Sequence, residues 1–260
     1  MMTPSPMMLT MIKLAQTAGK VIMDVYATDF AAHAKTDASP VTEADERAEA
    51  IILKGLAQSF PDIPVIAEES VAAGRIPEIS TQFFLVDPLD GTKEFISRNG
   101  EFTVNIALIQ NGVVSSGVVY APAINTLYWG EMGYGSAKAT ITPEQELPST
   151  WNKIAVRALP QAGATVLASR SHRDAATDAY LATVKVAELI SAGSSLKFCT
   201  IADGKADLYP RFGRTMEWDT AAGHAVLAAA GGTVKGADDR PLLYGKKARG
   251  FDNPAFIASA

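Results

Sequence analysis

The sequence predicts an α+β part followed by an α/β part within one chain of 260 residues. Three observations carry that prediction. Helical periodicity opens the chain, a run of short apolar segments with a hairpin signal follows, and strands alternate with helices toward the end. A polar stretch at 140–161, holding Pro143, Pro148 and Pro160, separates the two, so residues 1–150 form the first part and 151–260 the second.

Each element has its own warrant. Ile12, Ala15, Gly19, Ile22 and Tyr26 recur at alternating spacings of three and four, which is one apolar stripe of a helix. Thr42 and Asp45 have capping-box spacing, with aspartate in place of glutamate, and Ala48, Ile51, Ile52 and Leu56 carry a second helical face toward Phe60. Beyond Pro61, segments 65–67 and 83–86 are short apolar runs ending in acidic residues, as strands that feed loops do. Segments 104–109 and 113–120 flank Asn111-Gly112, a strong hairpin signal because both turn positions tolerate positive φ, and 127–129 adds a strand. In the second part, 165–168 and 206–209 read as strands and 195–202 as a helix. Residues 219–230 read as an alanine-rich helix closed by Gly231-Gly232.

A net charge of −5 argues against a protein that coats nucleic acid, while leaving a small anionic substrate open. The single cysteine, Cys199, excludes an internal disulfide and a cysteine-rich zinc site, and reads as a small buried apolar residue in a reducing compartment. Three dispersed histidines, His33, His172 and His224, do not form a zinc site, although His172 lies in a loop that could approach a ligand. No window approaches the roughly 20 apolar residues that span a bilayer. The first residues also lack the basic and apolar regions of a secretion signal. The expectation is a cytoplasmic protein, with a peripheral contact at the inner face of the membrane compatible with this composition.

Chemistry concentrates at 84–92, where an apolar strand runs into Asp87-Pro88-Leu89-Asp90-Gly91-Thr92. Pro88 fixes one φ and Gly91 frees the backbone, so both carboxylates and the Leu89 carbonyl could face one point. Three such oxygens suit a hard cation such as Mg²⁺. The same residues also make an ordinary surface turn, and this segment alone is balanced between the two readings. Glu68-Glu69 closes another apolar run and Asp219 follows Trp218 at the start of a helix. Each alone is equally a solvated strand end or an N-cap.

The joint pattern is far more specific. Asp45, then 22 residues, Glu68-Glu69, then Asp87-Pro88-Leu89-Asp90-Gly91-Thr92, then Trp218-Asp219, then 11 residues and Gly231-Gly232, resembles the signature of the inositol monophosphatase superfamily of magnesium-dependent, lithium-sensitive phosphatases. The runs at 86–109, 117–122, 193–199, 208–213 and 218–226 resemble its bacterial 3′(2′),5′-bisphosphate nucleotidase branch most. The resemblance implies a layered αβαβα sandwich of the inositol monophosphatase and fructose-1,6-bisphosphatase type. It also implies hydrolysis of the 3′-phosphate of adenosine 3′,5′-bisphosphate to AMP and phosphate. A sister phosphatase acting on inositol monophosphate, histidinol phosphate or fructose 1,6-bisphosphate is the alternative, and a catalytically silent nucleotide sensor is a more distant one.

Carried over by motif, Glu68, Asp87 and the Leu89 carbonyl resemble ligands of a first metal, and Asp87, Asp90 and Asp219 those of a second, with a third, weaker metal near Glu68. Thr92 and Asp45 resemble the pair that orients or deprotonates the attacking water, and Glu69 supports them from behind. Asp45 also fits a purely local capping role. The resemblance sets the substrate phosphate against Asp90, Gly91 and Thr92, with Glu68, Leu89 and Asp219 nearby. Gly193, Ser194 and Ser195, at the start of a helix, offer amides and hydroxyls to an anion. Lys197 lies in the same segment, and Arg211 stands where inositol monophosphatases usually carry a glutamate, so the resemblance implies a second phosphate there, held by paired charge-assisted hydrogen bonds. By themselves Ser194 and Ser195 read as helix caps and Lys197 and Arg211 as solvated charges. Arg214 stands where these nucleotidases commonly carry proline, a departure that bears only on fine specificity.

Overall fold

A computed structural model describes residues 2–34, 40–168 and 175–260. His172 lies outside the described residues. The first helix, α1 (Pro6–Tyr26), starts where the Ser5 side chain accepts from the Met8 amide at 3.1 Å and Pro6 fills the first turn. A short antiparallel pair, β1 (Ala32–Ala34) and β2 (Pro40–Thr42), leads into α2 (Glu43–Ser59), whose capping box joins Thr42 and Asp45 as expected.

Seven strands form the first sheet in sequence order: β3 (Val65–Ala67), β4 (Gln82–Asp90), β5 (Thr103–Gln110), β6 (Val113–Ala121), β7 (Thr126–Glu131), β8 (Gly135–Thr140) and β9 (Asn152–Ile154). Only β3 and β4 are parallel. The hairpin turn between β5 and β6 has φ of 51° at Asn111 and 78° at Gly112, the positive values that its sequence signals. The strand β9 carries this sheet to residue 154, through the proline-containing stretch. Short helices α3 (Glu68–Ala72) and α4 (Thr92–Ile96) follow β3 and β4.

The second sheet has the order β11 (Val186–Ser191), β10 (Ala164–Ala168), β12 (Leu208–Arg211), β14 (Phe256–Ser259), β13 (Thr233–Gly236). Its β10 pairings are parallel and its β14 pairings antiparallel. Helix α5 (Ala175–Leu181) packs on the β12 side, while α6 (Leu196–Ala202) and α7 (Glu217–Ala229) lie between the sheets. With α1 and α2 on the far face of the first sheet, the layers run α, β, α, β, α. Helix α7 begins at Glu217, two residues before the sequence expectation, which makes Asp219 its third residue.

Two cores follow from this layering. Strand β4 is apolar without alternation because both its faces are covered. Phe84 and Val86 enter the core under α1 and α2, and Phe83 and Leu85 enter the core that holds α6 and α7. Close approach seats α7 on the sheet. A Cβ on Gly117 would sit 2.6 Å from the Ala222 carbonyl oxygen, and one on Gly130 would sit 2.5 Å from Val226 Cα.

Candidate active site

The site forms where β3 and β4 end. Their parallel pairing, with Ala67 opposite Val86, brings Glu68 and Asp87 to the same end of the sheet. Strict alternation would send Asp87 and Asp90 to opposite faces. A bulge prevents that: Asp87 pairs with Asn105 but Asp90 pairs with Thr103, so one extra residue is absorbed on β4. Asp90 consequently faces the α6 side, which Phe83, Leu85 and Asp87 share by alternation. Asp87 Oδ1 accepts from the Leu89 amide at 3.0 Å, and Gly91, at φ 94°, turns the chain into α4.

Asp45 has two duties. Its Oδ2 accepts from the Thr42 amide at 2.8 Å and the Thr42 hydroxyl at 2.7 Å, while Oδ1 accepts from Thr92 Oγ1 at 3.3 Å. Thr92 Oγ1 also lies 3.4 Å from the Leu89 carbonyl oxygen. Capping therefore anchors one oxygen of Asp45 and leaves the other toward Thr92.

The two halves meet across Asp90. Its Oδ2 accepts from the Ser195 amide at 2.7 Å, Ser194 Oγ at 2.8 Å and Asn105 Nδ2 at 3.3 Å. Ser195 Oγ donates to the Asp219 carbonyl oxygen at 2.8 Å, and the Gly193 amide donates to Glu101 at 2.8 Å. The Gly193 amide, the Ser194 hydroxyl and the Ser195 amide and hydroxyl, expected to face an anion, donate to protein oxygens in this structure. The reason is steric and electrostatic: α6 is only seven residues long and its start abuts the carboxylates of the other half.

A cleft of about 270 Å³ is lined by the acids Glu68, Asp90 and Asp219 and by Thr92, Lys197, Tyr209 and Arg211. Lys197 is buried, donates to the Ser194 carbonyl at 2.6 Å and lies over the Tyr209 ring. Burial pushes its ammonium down to about 8, against the pull of Asp90. Arg211 donates to the Arg214 carbonyl at 3.0 Å, and its sealed Nε has no partner among the described residues. Arg214 Nε pairs with Asp252 at 2.7 Å.

Carboxylate and carbonyl oxygens are the donors that Mg²⁺ takes. Burial, then the Asp90 and Glu68 carboxylates, hold the Asp219 carboxyl well above its usual range. A divalent cation relieves that repulsion, so the donor set fits one. The fit is of chemistry rather than of a finished shell. Among the described residues no three acidic, histidine or cysteine side chains already enclose a point, and Asp219 Oδ2 is held by the Met216 amide at 2.8 Å.

Some contributors have no sequence signal of their own. Glu49, on α2 and only 3% exposed, accepts from the Glu69 amide at 2.7 Å and Ser70 Oγ at 2.6 Å, capping α3 directly behind Glu68. Asn105 and Glu101 reach the site only because β5 lies beside β4. Cys199 is buried, as expected, and His33 is exposed on β1 away from the cleft lining.

Residues 3–255 match the model of the inositol monophosphatase family. The chain belongs to that family. Its members are metal-dependent phosphatases, generally with Mg²⁺. Over 250 residues, covering 95% of this chain and 97% of the relative, it is 48% identical to the 3′(2′),5′-bisphosphate nucleotidase CysQ of Escherichia coli O157:H7. The crystal structure of CysQ from Bacteroides thetaiotaomicron, a bacterial member of the same family, superimposes with a TM-score of 0.81 at 39% identity, over 97% of this chain and 96% of that one. An inositol monophosphatase from Anabaena (Nostoc) shares 25% identity with a TM-score of 0.75, over 97% and 90% of the two chains.

Proposed function

We propose that the protein is a magnesium-dependent, lithium-sensitive 3′(2′),5′-bisphosphate nucleotidase. It removes the 3′-phosphate of adenosine 3′,5′-bisphosphate, releasing AMP and phosphate, and so clears a by-product of sulfur assimilation in the cytoplasm. One observation carries the reading: a single cleft is lined both by Glu68, Asp90 and Asp219 and by Lys197 and Arg211. The acids suit cations, and the basic pair suits a second phosphate. The identity of 48% to a CysQ, against 25% to an inositol monophosphatase, supports the choice between sister substrates.

Glu68, Asp87 and the Leu89 carbonyl would hold one Mg²⁺, Asp87, Asp90 and Asp219 a second, and Glu68 borders a third, weaker position. When bound, the ions would supply a more acidic water and neutralise charge on the phosphoryl oxygens and on the leaving oxygen. The chain does the rest. Thr92 Oγ1, donating to Asp45 Oδ1, leaves its lone pairs to orient the attacking water and offers a route for that water's proton. Amides of Gly91 and Thr92 hold the reacting phosphate as the P–O3′ bond breaks, the water oxygen joins phosphorus and the 3′-oxygen leaves as a hydroxyl. Arg211 and Lys197 hold the other phosphate, while Gly193, Ser194 and Ser195 shape the pocket by fixing Asp90 and Glu101. No described helix is long and apolar enough to cross a membrane, and no described feature supports a peripheral membrane contact.

The test is phosphate release from adenosine 3′,5′-bisphosphate, inositol 1-phosphate, histidinol phosphate and fructose 1,6-bisphosphate, with and without Mg²⁺ and Li⁺. Selective, Mg²⁺-dependent, Li⁺-suppressed release from the nucleotide is expected. A wide preference for inositol phosphate would overturn the assignment.

A further inference from the structure

Five residues beyond Asp219 on α7, His224 faces a different cavity. It is 9% exposed, and its Nδ1 lies 2.9 Å from the Tyr244 hydroxyl. Its Nε2 has no hydrogen-bond partner among the described residues and is not sealed. The cavity it borders, of about 420 Å³, lies between the tips of the β5–β6 and β7–β8 hairpins, the end of α7 and residues 241–242. No charged side chain lines it; apolar residues, among them Val114, Met132, Ala228, Val234 and Leu242, form most of its wall.

The proton inventory decides what Nε2 offers. Thr220 Oγ1 donates to the Glu217 carbonyl at 3.2 Å and accepts from Asn253 Nδ2 at 3.1 Å. Either oxygen can be the donor in the 3.3 Å contact between Thr220 and Tyr244; with the Thr220 proton on Glu217, that contact takes the tyrosine proton. With that proton spent, the Tyr244 oxygen accepts from His224, so Nδ1 carries the hydrogen. Burial pushes His224 down to about 4, which keeps the ring neutral at physiological pH. A neutral imidazole has one N–H, and Nε2 is then a bare acceptor at the cavity wall.

We propose that this cavity is a binding site for a compact, uncharged aromatic molecule carrying one N–H or O–H donor, which bonds to His224 Nε2. Its volume falls within the range of small-molecule pockets. A charged ligand would lose hydration against an apolar wall with no counter-charge. Met132, 49% exposed, supplies an adaptable thioether beside an aromatic ring. Occupancy holds the Tyr244 hydroxyl on Thr220, which lines the catalytic cleft, so the two cavities are joined by a hydrogen-bonded chain.

Indole and N-methylindole, equal in character but differing in the donor, test the site by calorimetric titration of the full chain. Indole is expected to bind about tenfold more tightly, the worth of one hydrogen bond. Nitrogen NMR of the His224 ring should show the proton on Nδ1 in the indole complex. Ala228→Trp, which fills the cavity, should abolish binding. Equal affinities, no binding of indole, a proton on Nε2 in the complex, or binding that survives Ala228→Trp would each overturn the proposal. The comparison on the unmodified protein decides by itself if the variant does not fold.

Discussion

Thr92 and Lys197 show how one side chain's surroundings set its chemistry. Thr92 Oγ1 meets an Asp45 whose other oxygen is anchored by Thr42, so its hydroxyl direction is prescribed. Thr92→Ala should reduce phosphate release by about 10²-fold or more, while Thr92→Ser, which keeps the hydroxyl, should stay close to the parent. Steady-state rates at saturating Mg²⁺ measure this. Lys197 has a folded value of about 8 against an ordinary 10.5, so the unfolded chain binds more protons between the two. Stability from this residue therefore rises with pH across that window, whereas the charge available to an anion falls. KM for the bisphosphate should increase above pH 8, and Lys197→Met should have a raised KM that no longer changes there.

Elements matter here through how they deliver their ends. Helix α3 is short and starts at Glu68, and its first donors are taken by Glu49 from α2. Glu49→Gln should weaken Mg²⁺ binding by about 10- to 100-fold, read by calorimetry, because the support behind a ligand sets its direction. Glu49→Ala should also cost roughly 1–3 kcal/mol of stability by leaving buried donors unpaired. Helix α7 delivers Asp219 and is seated where β7 has no side chain at Gly130. Gly130→Ala should destabilise by roughly 1–3 kcal/mol in a denaturant titration, since the added carbon meets backbone that cannot move freely.

At the scale of the molecule, the fold brings acids from separate layers together against their repulsion. Asp219 is held above its ordinary value of 3.8, so its charge is penalised in the folded state at neutral pH and the penalty is relieved as pH falls through the folded value. Two outcomes follow for thermal melts. Mg²⁺ should raise Tm, and Asp219→Asn should raise the Tm of metal-free protein while removing both the Mg²⁺ response and activity. Within the cleft Lys197 and Arg211 offset part of the charge that Glu68, Asp90 and Asp219 concentrate there.

Local signals made much of this legible. The apolar stripe predicts α1, the Thr42–Asp45 spacing predicts the start of α2, and Asn111-Gly112 predicts the β5–β6 hairpin, because each depends on neighbours within one turn or one strand pair. Strands β8, β9, β11, β13 and β14 were not legible: they are short, or polar on one face, and owe their state to pairing with distant partners. What the sequence by itself determined is the mixed α and β character, the family, and which acids sit at strand and helix ends. Only the tertiary structure decided that a bulge turns Asp90 toward α6, that Glu49 braces α3, and that the Gly193 and Ser195 amides and the Ser194 hydroxyl donate to protein carboxylates. Those outcomes depend on contacts between residues far apart in the chain, and spacing along one segment carries no information about them.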